Sequence, residues 1–182
     1  MQKVTLISLF MFSWLFASRS LDVTVTEPMG KEQVKWLSLK EAEVVLQTEH
    51  KPILIDLYTD WCGWCKVMDK KTYSNEKVIQ YINEHFIPVK LDAETKDVLN
   101  WKGKSYKYDQ NYRVNSYAVF LTGGQLSFPT TVFLPVDGSS PQPVPGFLEP
   151  KDIEVVLKYF GEGYYGKTAF QDYLKNFASS WK

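Results

Sequence analysis

The sequence predicts an α/β domain, a central mixed β-sheet flanked by helices. Three observations carry that prediction. Ile53-Leu54-Ile55-Asp56-Leu57-Tyr58 is a near-continuous apolar run, the pattern of a strand buried on both faces. Strand-like and helix-like apolar patterns alternate on either side of it. Asp137-Gly138, late in the chain, is a hairpin signal that brings in antiparallel pairing. The length of 182 residues suits one domain with a real core and is short for two. With 45% hydrophobic and 23% charged residues, the composition is globular and argues against disorder.

Residues 1–20 read as a secretory signal, which leaves 21–182 as the domain. Lys3 supplies a positive start, and Leu6 to Ala17 is nearly all apolar. Ser18-Arg19-Ser20 places small residues before a cut at Leu21. A buried N-terminal helix is the plainer alternative, but the run has no polar face. Val34-Lys35-Trp36-Leu37 is a short strand candidate. Ser38 with Glu41 makes a capping box. It opens a helix carrying Leu39, Ala42, Val45 and Leu46, expected to end near His50-Lys51-Pro52. After the central strand, Cys65 to Lys71 contains no breaker and reads as helix. Ser74 or Asn75 caps the next one, with Val78, Ile79, Ile82 and Phe86 on its apolar face.

Ile87 to Leu91 is a second strand. Residues 92–127 then hold Trp101, Tyr106, Tyr108, Tyr112, Tyr117 and Phe120, with a helical part ended by Gly123-Gly124. Those aromatics either wall a groove or cover the core, and covering the core is favoured. Thr130 to Leu134 is a strand that turns at Asp137-Gly138 to pair near Gln142–Val144, where Pro143 suits only an edge. Pro150 fits the first turn of a helix through Ile153, Val156, Leu157 and Phe160, giving a core of about 34–160. Gly161, Gly163 and Gly166 break the chain. Thr168 and Gln171 suggest a last capping box. The helix it starts, over about 168–181, sets Phe170, Tyr173, Leu174, Phe177 and Trp181 on one face. Docking on the domain is favoured over binding a partner.

Charge and cysteine usage narrow the function. Lys plus Arg and Asp plus Glu each number 21, so there is no basic excess to hold a nucleic acid. Loss of residues 1–20 would remove Lys3 and Arg19, leaving 19 basic against 21 acidic residues. No apolar run reaches the roughly 18 residues a membrane span needs. The two cysteines lie in Trp61-Cys62-Gly63-Trp64-Cys65-Lys66. A bridge across so small a loop restrains little chain entropy, so the spacing suits chemistry better than stapling. A helix N-terminus presents unpaired N–H groups and the positive end of the dipole, which favours a thiolate. Cys62 stands there as the exposed nucleophile. Cys65, one turn on and more buried, can attack a mixed disulfide at Cys62 and release the partner.

The competing site chemistries fit less well. Zinc needs four ligands, and the cysteines with His50 and His85 give the number without characteristic spacing. Covalent haem needs a His where Lys66 stands. There is no Gly-rich phosphate loop. Neither metal nor cofactor is expected.

The run Ile53 to Lys66 resembles the active-site segment of the thioredoxin superfamily. Phe128-Pro129-Thr130 resembles its cis-proline segment, and Gly146 its later glycine. The three occur in the family's order, and the likeness is greatest to the periplasmic branch that includes the C-terminal domain of the transmembrane disulfide reductase. The resemblance implies a thioredoxin-like fold with an insert before a cis Pro129 and an extra C-terminal helix. It implies that Cys62 attacks, Cys65 resolves and the two form a redox-active disulfide. Asp56, six residues before Cys62, would be the buried carboxylate that shuttles the proton of Cys65. Lys90 would be its ionic partner, although an exposed strand lysine is the plainer reading. Trp61 would shield the thiol, with Gly63 and Trp64 beside it and the Phe128 backbone free to pair with an extended client. Trp64 stands where thioredoxins proper carry Pro, and the residues between the cysteines tune the potential.

The function implied is a thiol–disulfide oxidoreductase that reduces exported proteins, periplasmic if the source is bacterial and otherwise secreted. Its partners would be client thiols and disulfides and a redox partner, with a membrane-held electron donor as the candidate, and no nucleic acid. A disulfide oxidase or isomerase is the alternative direction. A thioredoxin-fold binding module with little turnover is the alternative class.

Overall fold

The structure, a computed structural model, describes residues 32–181. The expected signal at residues 1–20, and its cut at Leu21, lie outside the described residues. In chain order the elements are α1 (Leu39–Val45), β1 (Ile53–Tyr58), α2 (Gly63–Lys71), α3 (Glu76–His85) and β2 (Ile87–Asp92). Two small hairpins follow, β3 (Leu99–Trp101) with β4 (Lys104–Tyr106), and β5 (Tyr108–Asp109) with β6 (Val114–Asn115). Then come α4 (Ser116–Thr122), β7 (Thr130–Leu134), β8 (Gln142–Pro145), α5 (Pro150–Gly161) and α6 (Phe170–Asn176).

The main sheet has the order β2-β1-β7-β8. β1 and β2 are parallel, and β7 is antiparallel to both β1 and β8, so the sheet is mixed as the sequence predicts. The period of two along β1 sorts its side chains onto two faces. Ile53, Ile55 and Leu57 join α1, α4 and the residues Trp101 and Val114 in one core. Leu54 joins α2, α3 and α5 in the other, with Met68, Ile79, Ile82 and Ile153. A strand covered on both faces must be apolar throughout, which explains why Asp56 is the only charged residue in β1.

The local signals mostly act as expected. Ser38 and Glu41 form the capping box of α1. Asn75, rather than Ser74, caps α3 through the N–H groups of Lys77 and Val78. Pro150 occupies the first turn of α5. Gly123 ends α4 with φ of 59°, the left-handed conformation that glycine adopts without steric cost. In residues 92–127, Trp101, Val114, Tyr117, Ala118 and Leu121 lie in the core, so the segment covers the sheet, while Tyr112 and Phe120 stay exposed.

Three expectations need correction, and one feature was not expected. Val34–Leu37 forms no strand, only a single bridge from Leu37 to Val89. The Asn83 side chain takes the Lys35 N–H and Val34 C=O takes the Trp36 N–H, so that backbone is spent locally. α1 stops at Val45 instead of running to His50, where Thr48 turns its hydroxyl onto the Val45 carbonyl. The hairpins of the insert were not foreseen. Their first turn, Lys102-Gly103, has φ of 46° and 76°, the primed geometry usually signalled by Asn-Gly. The final helix is only Phe170–Asn176, its N-cap is Ala169 rather than Thr168, and it buries no residue fully.

Trp181 is buried all the same, from an extended tail. The cause is Glu154 on α5, whose carboxylate accepts from Ser179 Oγ at 2.6 Å, Ser180 Oγ at 2.7 Å and the backbone N–H of Ser180 and Trp181. A helix cannot present those groups to one acceptor, so the tail leaves helical geometry at Phe177. Among the described residues no helix is long and apolar enough to cross a membrane.

Candidate active site

The two cysteines sit where β1 hands the chain to α2. Cys62 is the N-cap of α2, in extended backbone conformation. Its Sγ accepts the Cys65 N–H at 3.0 Å, so the sulfur occupies the place of a capping side-chain oxygen. The unpaired N–H groups of the first turn and the positive end of the dipole converge there. Cys62 and Cys65 are joined as a disulfide, with Cα atoms 5.3 Å apart. Cys62 is not the more open of the two, as the sequence suggested. In this oxidised form Cys62 keeps 3% exposure and Cys65 keeps 6%. Folding the Cys62 sulfur back over the helix end both makes the cap and withdraws the residue from solvent.

Aromatic rings stand at the pair. Trp61 and Trp64 are 67% and 61% exposed, unusual for the largest apolar side chain. Trp61 meets Phe128 edge to face, with ring centroids 6.0 Å apart. Trp64 meets Phe147 at 5.5 Å. The Phe128–Pro129 bond is cis. Pro129 is buried, and its carbonyl accepts the Gly146 N–H at 2.8 Å, tying that segment to β8. Gly146 has φ of 99°, a conformation a larger side chain would strain to hold. At Gly63, by contrast, a Cβ would meet nothing within 4 Å, so the position is open to the outside.

A charged group of three joins β1, β2 and α2. Asp56 is 3% exposed, and its register partner on the parallel neighbour is Lys90. Partners in register point to the same face, and the Lys90 Nζ lies 3.0 Å from Asp56 Oδ2. Burial pushes the Asp56 carboxyl up to about 6, against the opposing pull of the Lys90 ammonium. Burial pulls Lys90 down, but the carboxylates of Asp56 and Asp69 outweigh it and hold the ammonium above its ordinary range. Of the expected site residues the structure therefore brings Asp56 to Lys90, Trp61 to Phe128 and Cys62 to Cys65.

Sequence reading missed two residues here. Asp69 on α2 is a second carboxylate on Lys90. It lies four residues after Cys65, one helical turn on, and that spacing is the signal available in the sequence. Phe147 follows directly on Gly146, with no pattern to mark it. Among the described residues no group of three or more His, Cys, Asp or Glu side chains is placed to hold a metal ion.

Comparisons with known proteins bear on this site. The family model Thioredox_DsbH, described as a protein of unknown function, DUF255, matches residues 26–182. A thiol:disulfide interchange protein DsbD of Yersinia enterocolitica is 33% identical over 78 residues, 38% of this chain and 14% of that protein. Its namesake in Campylobacter jejuni is 29% identical over 92 residues, 50% of this chain and 16% of that protein. The match thus spans only a small part of these relatives' length. Among solved structures, a DsbH oxidoreductase aligns over 78% of this chain and 94% of its own, with a TM-score of 0.52 and 19% identity. A thioredoxin from Thermus thermophilus aligns over 75% of this chain and 99% of its own, with a TM-score of 0.51 and 15% identity. At those identities the structural likeness shows the fold, which is that of thioredoxin.

Proposed function

The chain belongs to the Thioredox_DsbH family of thioredoxin-like disulfide oxidoreductases, and from that premise we propose that it reduces disulfides in exported proteins through Cys62 and Cys65. The observation that carries the proposal is the placement of Cys62 as the N-cap of α2, bonded to Cys65 and receiving its N–H. A thiolate is favoured there when the pair is reduced.

The reaction begins from the reduced pair. The Cys62 thiolate attacks one sulfur of a client disulfide. The client S–S bond breaks, a mixed disulfide forms at Cys62, and the departing client thiolate takes a proton from water. Cys65 then passes its proton to the Asp56 carboxylate and attacks Cys62, and the second client thiolate leaves. Two electrons have moved to the client, and the Cys62–Cys65 disulfide remains. A separate thiol donor, from a redox partner at the membrane, returns the electrons.

Trp61, Trp64, Phe128 and the open position at Gly63 form the face on which the client docks. The cis Pro129 segment lays its backbone beside the client's own. Export belongs to the proposal too and rests on the apolar run of residues 1–20 with its small residues before Leu21.

The test uses two cysteine variants against a reducible client such as insulin. Cys62→Ala should abolish exchange. Cys65→Ala should retain attack but accumulate the mixed disulfide, seen as a thiol-sensitive adduct by mass spectrometry. A Cys62→Ala protein that still held its client with undiminished affinity, beside a parent with no turnover, would make this a binding module instead.

A further inference from the structure

Lys90 is shared between two carboxylates, and the sharing is uneven. Its Nζ lies 2.5 Å from Asp69 Oδ1 and 3.0 Å from Asp56 Oδ2. The ring centroids of Trp36 and Tyr58 lie 5.5 and 5.2 Å from the same ammonium, which holds it in place. Side-chain exposure rises along the row, from 4% at Asp56 to 27% at Lys90 and 43% at Asp69. Asp69 also borders a cavity of about 350 Å³ with Trp36, Tyr73 and Ser74. Neither the docking-face aromatics Trp61, Trp64 and Phe128 nor Phe147 line that cavity. The outer carboxylate is therefore open to solvent on a side away from those rings.

From this geometry we propose that Asp69 is a positioning residue that draws Lys90 partly away from Asp56, leaving the buried carboxylate free to accept and return a proton near neutral pH. The inference rests on the role proposed above for Asp56. A carboxylate locked to an ammonium in a dry site stays ionised and makes a poor proton acceptor. One left with no ammonium stays protonated and cannot accept at all. Sharing the cation places Asp56 between those limits. Asp69 acts on it twice in one direction, by competing for Lys90 and by its own negative charge. The charged and titratable groups facing Asp56 are Lys90 of β2, Asp69 of α2, Tyr73 just after α2 and Tyr58 of its own strand. Tyr73 and Tyr58 are both held above the ordinary tyrosine range, chiefly by burial, so they stay neutral through the pH range in question.

The experiment is a carbon-13 NMR titration of the Asp56 carboxyl in the whole chain, for the parent and three variants whose folding is checked by thermal unfolding. Asp69→Asn should move the Asp56 inflection down by about half a unit or more, since Lys90 then pairs with Asp56 alone. Lys90→Met should move it up, and Asp69→Glu should restore the parent value. The pH dependence of exchange with a small disulfide should shift with each inflection. An Asp69→Asn inflection that stays in place or rises overturns the proposal, because a carboxylate that merely packs against α2 would not move it down. Shifts of the predicted signs in a protein that exchanges no disulfide would sink the enzymatic reading and leave the electrostatic device standing.

Discussion

Asp56 shows how a single buried charge links stability to chemistry. Its carboxyl is raised from 3.8 to about 6 by burial, so the folded state prefers the protonated form. The sign follows from linkage: the stability this group contributes is intact below pH 3.8 and is lost as pH rises through about 6. Above that, the protein carries an ionised carboxylate in its core at a cost of up to about 3 kcal/mol. Asp56→Asn should therefore unfold at a higher temperature than the parent at pH 8, with the advantage fading towards pH 4. Thermal unfolding of the two proteins across that range checks this, and an equal or lower Tm at pH 8 contradicts it. The ionised carboxylate is thus a cost to stability, which the role proposed for Asp56 as a proton acceptor would account for. At this scale the sequence was legible where chemistry demands a residue type: the cysteine pair, the lone carboxylate in an apolar strand, the proline after Phe128. It marked Asp69 only by its spacing from Cys65 and Phe147 not at all, since both become partners only when a helix and a loop are folded against the strand.

Among the elements, those announced by backbone chemistry could be read in advance and those shaped by distant contacts could not. The capping box at Ser38, the Asn75 cap, Pro150 and Gly123 act through neighbours within a few residues, and each ended or began its helix as expected. The C-terminal segment failed because its conformation is dictated by Glu154, on α5 and about 25 residues away. Burial works to raise that carboxyl, but the bonds from Lys158, Ser179, Ser180 and Trp181 outweigh it and hold it at about 2. A folded carboxyl lowered from 4.5 contributes stability above pH 4.5 that is lost as pH falls towards 2. Glu154→Gln should destabilise the domain by about 1–3 kcal/mol at pH 7 and by much less near pH 3. It should also release the tail, so that Trp181 fluorescence shifts towards that of a solvated indole. Urea unfolding at the two pH values reads the first effect, and no loss at pH 7 would mean the tail holds nothing.

At the scale of the whole molecule, the apolar β1 run, the alternation of elements and the Asp137-Gly138 hairpin signal together foretold a mixed sheet, because a doubly covered strand admits few other sequences and a hairpin is antiparallel. The insert was harder to read, since its short hairpins carry no strong period and owe their form to rings such as Trp101 and Tyr117 closing over the sheet. The architecture sets the cysteine pair where β1 ends and α2 begins. β1 delivers the disulfide to the start of α2, β7 follows directly on the cis proline, and β2 supplies the lysine that meets Asp56. Trp64, between the cysteines, stands where thioredoxins proper carry Pro. The measurement that reaches the central claim most directly is the reduction potential of the Cys62–Cys65 pair. It can be followed by the fluorescence of Trp61 and Trp64 in graded thiol–disulfide buffers. A reductant should lie near the thioredoxin end of the scale, about −270 mV. A value near about −120 mV, that of a strong periplasmic oxidant, would contradict it and reverse the direction assigned to the enzyme.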